Sequence, residues 1–88
     1  MLKLVAQRQF ERDAKQVHKR GKQLEDLHAL VTLLLNEKPL PPKNKNHSLK
    51  GEFSDCFECH IESNWLLIYK KTKTEIILVR TGTHSDLF

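Results

Sequence analysis

Two sets of residues in this sequence have types and spacings that could do chemistry. The first is Cys56-Phe57-Glu58-Cys59-His60, which spells Cys-x-x-Cys-His, the spacing at which c-type haem is attached; its Cys-x-x-Cys part alone matches a redox dithiol or half of a zinc site. The second is dispersed along the chain: His47, His60 and His84, with Arg80 and the lysines Lys43, Lys45 and Lys50. Histidine serves as acid or base near neutrality, and a guanidinium stabilises a phosphorane. With no acidic cluster to hold Mg²⁺, such a set suits metal-independent cleavage of RNA. A general base takes the 2′-hydroxyl proton, the oxygen attacks the adjacent phosphorus, and a general acid protonates the leaving 5′-oxygen. Composition and spacing leave open the alternative that three surface histidines in a basic protein are inert.

The elements that must position these residues are legible in the hydrophobic pattern. LKLVA at residues 2–6 reads as a short first strand. Phe10, Ala14 and Val17 recur at helical spacing, and Gly21 stands where a left-handed C-terminal cap belongs. Leu24, Leu27, Leu30, Val31, Leu34 and Leu35 mark a second helix within Lys22 to Lys38, ended by Pro39, Pro41 and Pro42. The two form a hairpin. An irregular stretch to about Phe53 carries Lys43, Lys45 and Lys50 without an acid from Pro42 to Gly51. Long loops in small domains are more often functional than idle. Strands over 55–62, 65–71 and 75–80 follow, with connections short enough for antiparallel hairpins. The expected architecture is a single α+β domain over residues 1–88, a two-helix hairpin on one face of a three- to four-stranded, mainly antiparallel sheet, with the other face free.

Composition narrows the function classes. Fifteen Lys and Arg against eleven Asp and Glu leave +4, which points to a polyanionic partner. The apolar run Leu33 to Leu35, with Leu30 and Val31 nearby, is far too short to span a bilayer, and the N-terminus lacks the pattern of a secretory signal. No membrane is expected, and a reducing cytoplasm is.

That compartment bears on the cysteine motif. Alternation along a strand puts Phe57, Cys59 and Ile61 on one side and Cys56, Glu58 and His60 on the other, so the two thiols face apart and cannot meet as a dithiol. Haem attachment needs an oxidising compartment and usually a distal Met or His, and the only Met is Met1. A zinc site of Cys56 and His60 with His47 or His84 lacks a second paired-ligand motif. Cys59 reads as a small buried hydrophobe and Cys56 as an incidental thiol. His18 and His28, within the helices, read as solvated. No metal or cofactor is expected.

With the helical hairpin ahead of them, the segments NHSLKG, CHIESNWLLIY and LVRTGTHSDLF resemble, in order and spacing, the RelE/ParE superfamily of bacterial toxins and, within it, the YafQ-like mRNA interferases. The resemblance implies a toxin that enters the ribosomal A site, cleaves the mRNA there and is silenced by a cognate acidic antitoxin. On matched positions it implies His47 and His60 on the base side, His84 as general acid, Arg80 as phosphate stabiliser and Phe88 as a group that orients a base. Lys43, Lys45 and Lys50 read as substrate-binding from the local positive charge of the loop, and Trp65 matches a recurrent position in the family, with packing in the sheet as its other reading. Family members commonly carry aspartate just before this tryptophan, whereas this chain has Asn64. An amide can hydrogen-bond but cannot take a proton or raise a histidine's pKa by its charge. The alternative is therefore a non-cleaving, basic RNA- or protein-binding member of the same fold. A gyrase-directed toxin of the ParE kind needs no such histidine set.

Overall fold

The computed structural model describes residues 1–88. In chain order the elements are β1 (Lys3–Ala6), α1 (Arg8–Lys19), α2 (Leu24–Leu35), a 3-10 turn (Pro42–Asn44), β2 (His47–Ser48), a second 3-10 turn (Gly51–Phe53), β3 (Phe57–Glu62), β4 (Trp65–Lys71), β5 (Glu75–Gly82) and α3 (His84–Leu87). The strands form one mixed sheet in the order β1-β5-β4-β3-β2. β1 runs parallel to β5, and every other pairing is antiparallel. No helix is long and apolar enough to cross a membrane.

The α+β class, the helical pair on one sheet face and the mainly antiparallel pairing follow the sequence pattern, but the sheet has five strands. β2 escapes the pattern because a two-residue strand has no period to read; it forms where the basic loop pairs its His47 and Ser48 with β3. α2 is shorter than expected, and the prolines do not end it. Both long helices close with the same Schellman arrangement. After α1, Gly21 N–H donates to His18 O and Lys22 N–H to Val17 O at 3.0 and 3.2 Å, with Gly21 at φ +91°. After α2, Glu37 N–H donates to Leu34 O and Lys38 N–H to Leu33 O at 3.1 and 2.9 Å, with Glu37 at φ +55°.

The helices bury Phe10, Val17, Leu27, Val31 and Leu34 against Cys59, Leu67, Ile76 and Leu78 of the sheet. The opposite face is not free as expected. There Cys56, Leu66, Ile68 and Leu87 form a smaller core, with Leu49, Phe53 and Val79 packed on it. The reason is β4, whose run Trp65-Leu66-Leu67-Ile68-Tyr69 is apolar at every position and has to be covered on both faces. The loop after β2 and the tail helix α3 cover that second face, and they bring functional groups with them.

Candidate active site

β3 carries the centre of the site. His47 of β2 lies opposite Glu58 of β3, Glu58 opposite Ile68 of β4, and Ile68 opposite Arg80 of β5, one row across four strands. Residues directly opposite share a face, so this row belongs to the side away from the long helices. His60, two residues beyond Glu58, shares that side opposite Leu66.

Within the row the buried Glu58 carboxylate lies 3.1 Å from His47 Nε2 and 3.6 Å from His60 Nε2. The first is a hydrogen bond; the second is an ion-pair distance when the imidazole is protonated. His47 is half exposed, and its Nδ1 lies 3.2 Å from Ser48 O. Glu58 thus sets its carboxylate against both imidazoles.

The tail supplies the other half. α3 places the His84 ring edge-on to His60, with centroids 5.7 Å apart, and the Phe88 ring 6.4 Å from His84. Phe88 is 64 % exposed and makes an edge contact with Phe53 at 5.8 Å. Thr83 caps α3: its Oγ1 accepts from Asp86 N–H at 3.2 Å, while Thr83 N–H donates to the Asp86 carboxylate at 2.9 Å. Arg20, just past the end of α1, grips that carboxylate with two bonds of 2.6 and 3.2 Å. These donors hold the Asp86 carboxyl well below the usual carboxylate range, Arg20 first and the Thr83 N–H next. Gly82 is required here, because a Cβ on it would meet Asp86 Oδ2 at 2.9 Å.

α1 also braces Arg80. Beyond Ala6 the chain leaves β1, so the outer edge of β5 is open, and the buried Asp13 fills it. Its carboxylate accepts from Arg80 Nε and Nη2 at 2.6 and 3.3 Å and from Thr81 N–H at 3.1 Å. Simple alternation puts Arg80 beside Ile76 and Leu78, yet the register shifts: Leu78 lies opposite Tyr69 and Arg80 opposite Ile68. Val79 is the extra residue of a bulge, which turns Arg80 to the histidine side, as bulges near active sites commonly do.

The expected residues are thus brought together unequally. His47, His60 and His84 converge, and Phe88 joins them. Lys43 and Lys45 line a cavity of about 310 Å³ with His60, while the exposed Lys50 stands outside it. Asn44, between the two lysines, donates from Nδ2 to His60 O at 2.7 Å and so ties the basic loop to β3. Trp65 is not substrate-facing: it is 1 % exposed in the helix-side core, and its Nε1–H donates to Thr81 Oγ1 at 2.9 Å. Asn64 bonds the tail histidine and not the base-side ones. Its Oδ1 accepts from His84 N–H at 3.3 Å and lies 3.2 Å from His84 Nδ1, so it orients the tail imidazole.

Glu58, Asp13, Arg20 and Asp86 were not singled out by sequence, although three of them leave a signal. Glu58 alternates onto the face of His60, Asp13 is a charge at a core position of the Phe10-Ala14-Val17 stripe, and Thr83-x-x-Asp86 has capping-box spacing. The thiols do lie on opposite faces, both buried and free. Burial pushes the Cys59 thiol up to about 12, the Glu58 charge adding to it. A metal ion would find its ligands in His47, Glu58 and His60, whose donor atoms lie within 4.8 Å of one another, rather than in the cysteines.

Fold and site together define a small α+β protein with a polar acid-base cluster on the face of the sheet away from its long helices, of the toxin class. The chain belongs to the YafQ family, bacterial toxins of type II toxin-antitoxin systems, whose profile it matches over residues 2–88. It is 42% identical over 81 residues to the mRNA interferase toxin YafQ of Escherichia coli strain K12, covering 91% of this chain and 88% of that relative. The YafQ chain of the E. coli DinJ-YafQ toxin-antitoxin complex superposes with a TM-score of 0.91 at 39% identity, covering 99% of this chain and 97% of that one. A metal-bound toxin from Helicobacter pylori gives a TM-score of 0.94 at 41% identity, with both chains covered in full.

Proposed function

We propose that this chain is an mRNA interferase: a ribosome-dependent, metal-independent endoribonuclease that cleaves mRNA in the A site by attack of the 2′-hydroxyl, and that a cognate acidic antitoxin holds inactive. The observation that carries the reading is the approach of the His60 and His84 rings to 5.7 Å on the side of the sheet away from the long helices, with a buried carboxylate behind one and an amide orienting the other.

His47 and His60 form the base side, and Glu58 stabilises the imidazolium left when one of them takes the 2′-hydroxyl proton. His84 gives its proton to the leaving 5′-oxygen. With Asn64 Oδ1 accepting at Nδ1, the His84 Nε2 is the nitrogen free to do so. Arg80 stabilises the charge of the phosphorane. Phe88 offers an exposed ring on which a base can stack, a contact worth about 1–3 kcal/mol. Lys43 and Lys45 hold the phosphates that flank the scissile one, and Lys50 meets the message further out. The basic loop is also where an acidic antitoxin segment gains most, since it neutralises the substrate side directly.

Single-turnover cleavage of mRNA on programmed ribosomes tests this. His84→Gln and Arg80→Ala each cost about 10²- to 10⁴-fold, and EDTA leaves the wild-type rate unchanged. Full activity after the combined loss of His47, His60 and His84 would overturn the assignment.

A further inference from the structure

One side-chain hydrogen bond runs from the core under the long helices to the loop that carries His47. Tyr69 of β4 lies opposite Phe57 and Leu78 in that core, and its ring stacks on Phe57 with centroids 5.6 Å apart. The residue is 3% exposed, yet its hydroxyl reaches out of the core and donates at 2.8 Å to Oδ1 of Asn46, an exposed loop residue. Asn46 immediately precedes His47. A phenylalanine at 69 would fill the same volume and keep the same stacking, so what the tyrosine adds is this bond alone.

The loop needs such a hold. β2 is two residues long, pairing His47 with Glu58 and Ser48 with Phe57. Just ahead of it Lys45 stands at φ +46° and ψ +51°, the left-handed region that a residue with a Cβ rarely adopts. A conformation of this kind persists where the surrounding structure over-determines it. Here two amides do so, one on each side of Lys45: Asn44 Nδ2 donates to His60 O at 2.7 Å, and Asn46 Oδ1 accepts from Tyr69. Consecutive residues entering a strand point to opposite sides of the sheet. Asn46 held on the helix side therefore delivers the next residue, His47, to the other side, where its Nε2 lies 3.1 Å from the Glu58 carboxylate.

We propose that Tyr69 and Asn46 are positioning residues for the base side of the site: their bond, together with that of Asn44, clamps the left-handed turn at Lys45 and sets the His47 imidazole against Glu58. They act through His47 and not on the reacting atoms. The catalytic consequence rests on the functional reading above, whereas the placement of His47 rests on geometry alone.

The test uses the full-length protein and three substitutions. Tyr69→Phe keeps the ring and removes the donor, Asn46→Ala removes the acceptor at an exposed position, and Asn46→Asp keeps an acceptor there. Single-turnover cleavage on programmed ribosomes is measured across ribosome concentration, and the carbon-bound proton resonances of the histidine rings are recorded by NMR. A group misplaced by about 1 Å can lose about 10²-fold in rate. With Asn44 and the β2 pairing still in place, Tyr69→Phe and Asn46→Ala are each expected to lower the saturated rate about 10- to 30-fold, with the half-saturating concentration changed less than about threefold. Combining them should cost no more than either alone, because they are two halves of one bond. Asn46→Asp should stay within about threefold of wild type. In a His47→Gln background Tyr69→Phe should lower the rate no further, and in both single variants the His47 ring resonances should move while those of His84 keep their positions. Unmoved His47 resonances in Tyr69→Phe would overturn the proposal, as would an equal loss of rate in the His47→Gln background. Wild-type protein that does not cleave, with the His47 resonances still displaced in both variants, removes the proposed function and upholds the clamp.

Discussion

Replacing Asp13 with Asn tests whether α1 positions Arg80, the proposed phosphate stabiliser, or only covers the sheet. The Asp13 side chain is 7% exposed, and its carboxylate accepts from Gln9 Nε2 at 3.0 Å in addition to the bonds from Arg80 and Thr81. An asparagine can keep one oxygen toward Arg80 Nε and Thr81 N–H, but its NH₂ then faces the donors of Gln9 and Arg80 Nη2, and the charge is gone. Hydrogen bonds to charged groups contribute about 1.5–3 kcal/mol each. Partial retention of the set brings the expected loss to about 2 kcal/mol, or about 10 °C in Tm for a domain of this size. The informative readout is the double-mutant cycle with Arg80→Ala. On its own, Asp13→Asn is expected to lower single-turnover cleavage by about 10- to 100-fold, because a misplaced guanidinium no longer meets the phosphorane. In the Arg80→Ala background it should lower cleavage hardly at all, with a stability coupling of about 1–2 kcal/mol between the two sites. Equal effects of Asp13→Asn in both backgrounds would refute the positioning role and leave Asp13 as an edge cap for Thr81 alone.

Asn64→Asp puts a charge beside His84 Nδ1, favours the imidazolium and raises the His84 pKa. The alkaline limb of the cleavage pH profile should move up by about one unit, with a change of about tenfold or less at neutrality; movement of the acidic limb instead would place residue 64 on the base. Because the folded-state pKa of Asp86 is depressed, the docking it contributes is present above the ordinary carboxylate range and is lost only as pH falls through the lowered value. The methyl resonances of Leu87 should therefore keep their docked positions at pH about 3, where an ordinary Asp is largely protonated, and release of the tail there would contradict the Arg20 latch. Tyr69, the only tyrosine, donates to Asn46 Oδ1 at 2.8 Å, and burial pushes its pKa up to about 12. Its contribution is complete below the ordinary value near 10 and is lost as pH rises through the folded one. Tyrosinate absorbance appearing near pH 10 with the fold intact would show the ring to be solvated.

The sequence by itself determined what depends on period and on local chemistry. Leucine spacing gave α2, Gly21 the end of α1, and alternation in Phe57–Ile61 separated the two thiols and so ruled out the dithiol. The same alternation put His60 on the side of the sheet that carries the site, and the order of NHSLKG, CHIESNW and LVRTGTH identified the family. Only the tertiary structure decided matters that depend on register and on partners distant in the chain. A bulge at Val79 moved Arg80 to the opposite face from the one alternation assigns it, and no period in the sequence marks an inserted residue. Asn64 met His84 rather than the base side because α3 folds back over the β3–β4 turn, a contact across twenty residues. Trp65 went inward because Thr81, sixteen residues on, offers the acceptor its indole needs. Asp13 of α1 and Arg20 just past its end acquired roles only when Arg80 Nε and the Asp86 carboxylate, respectively, came within 2.6 Å of their charged groups. Periodicity is a property of a segment and can be read from it, whereas a long-range hydrogen bond belongs to two segments and exists only once the chain has folded.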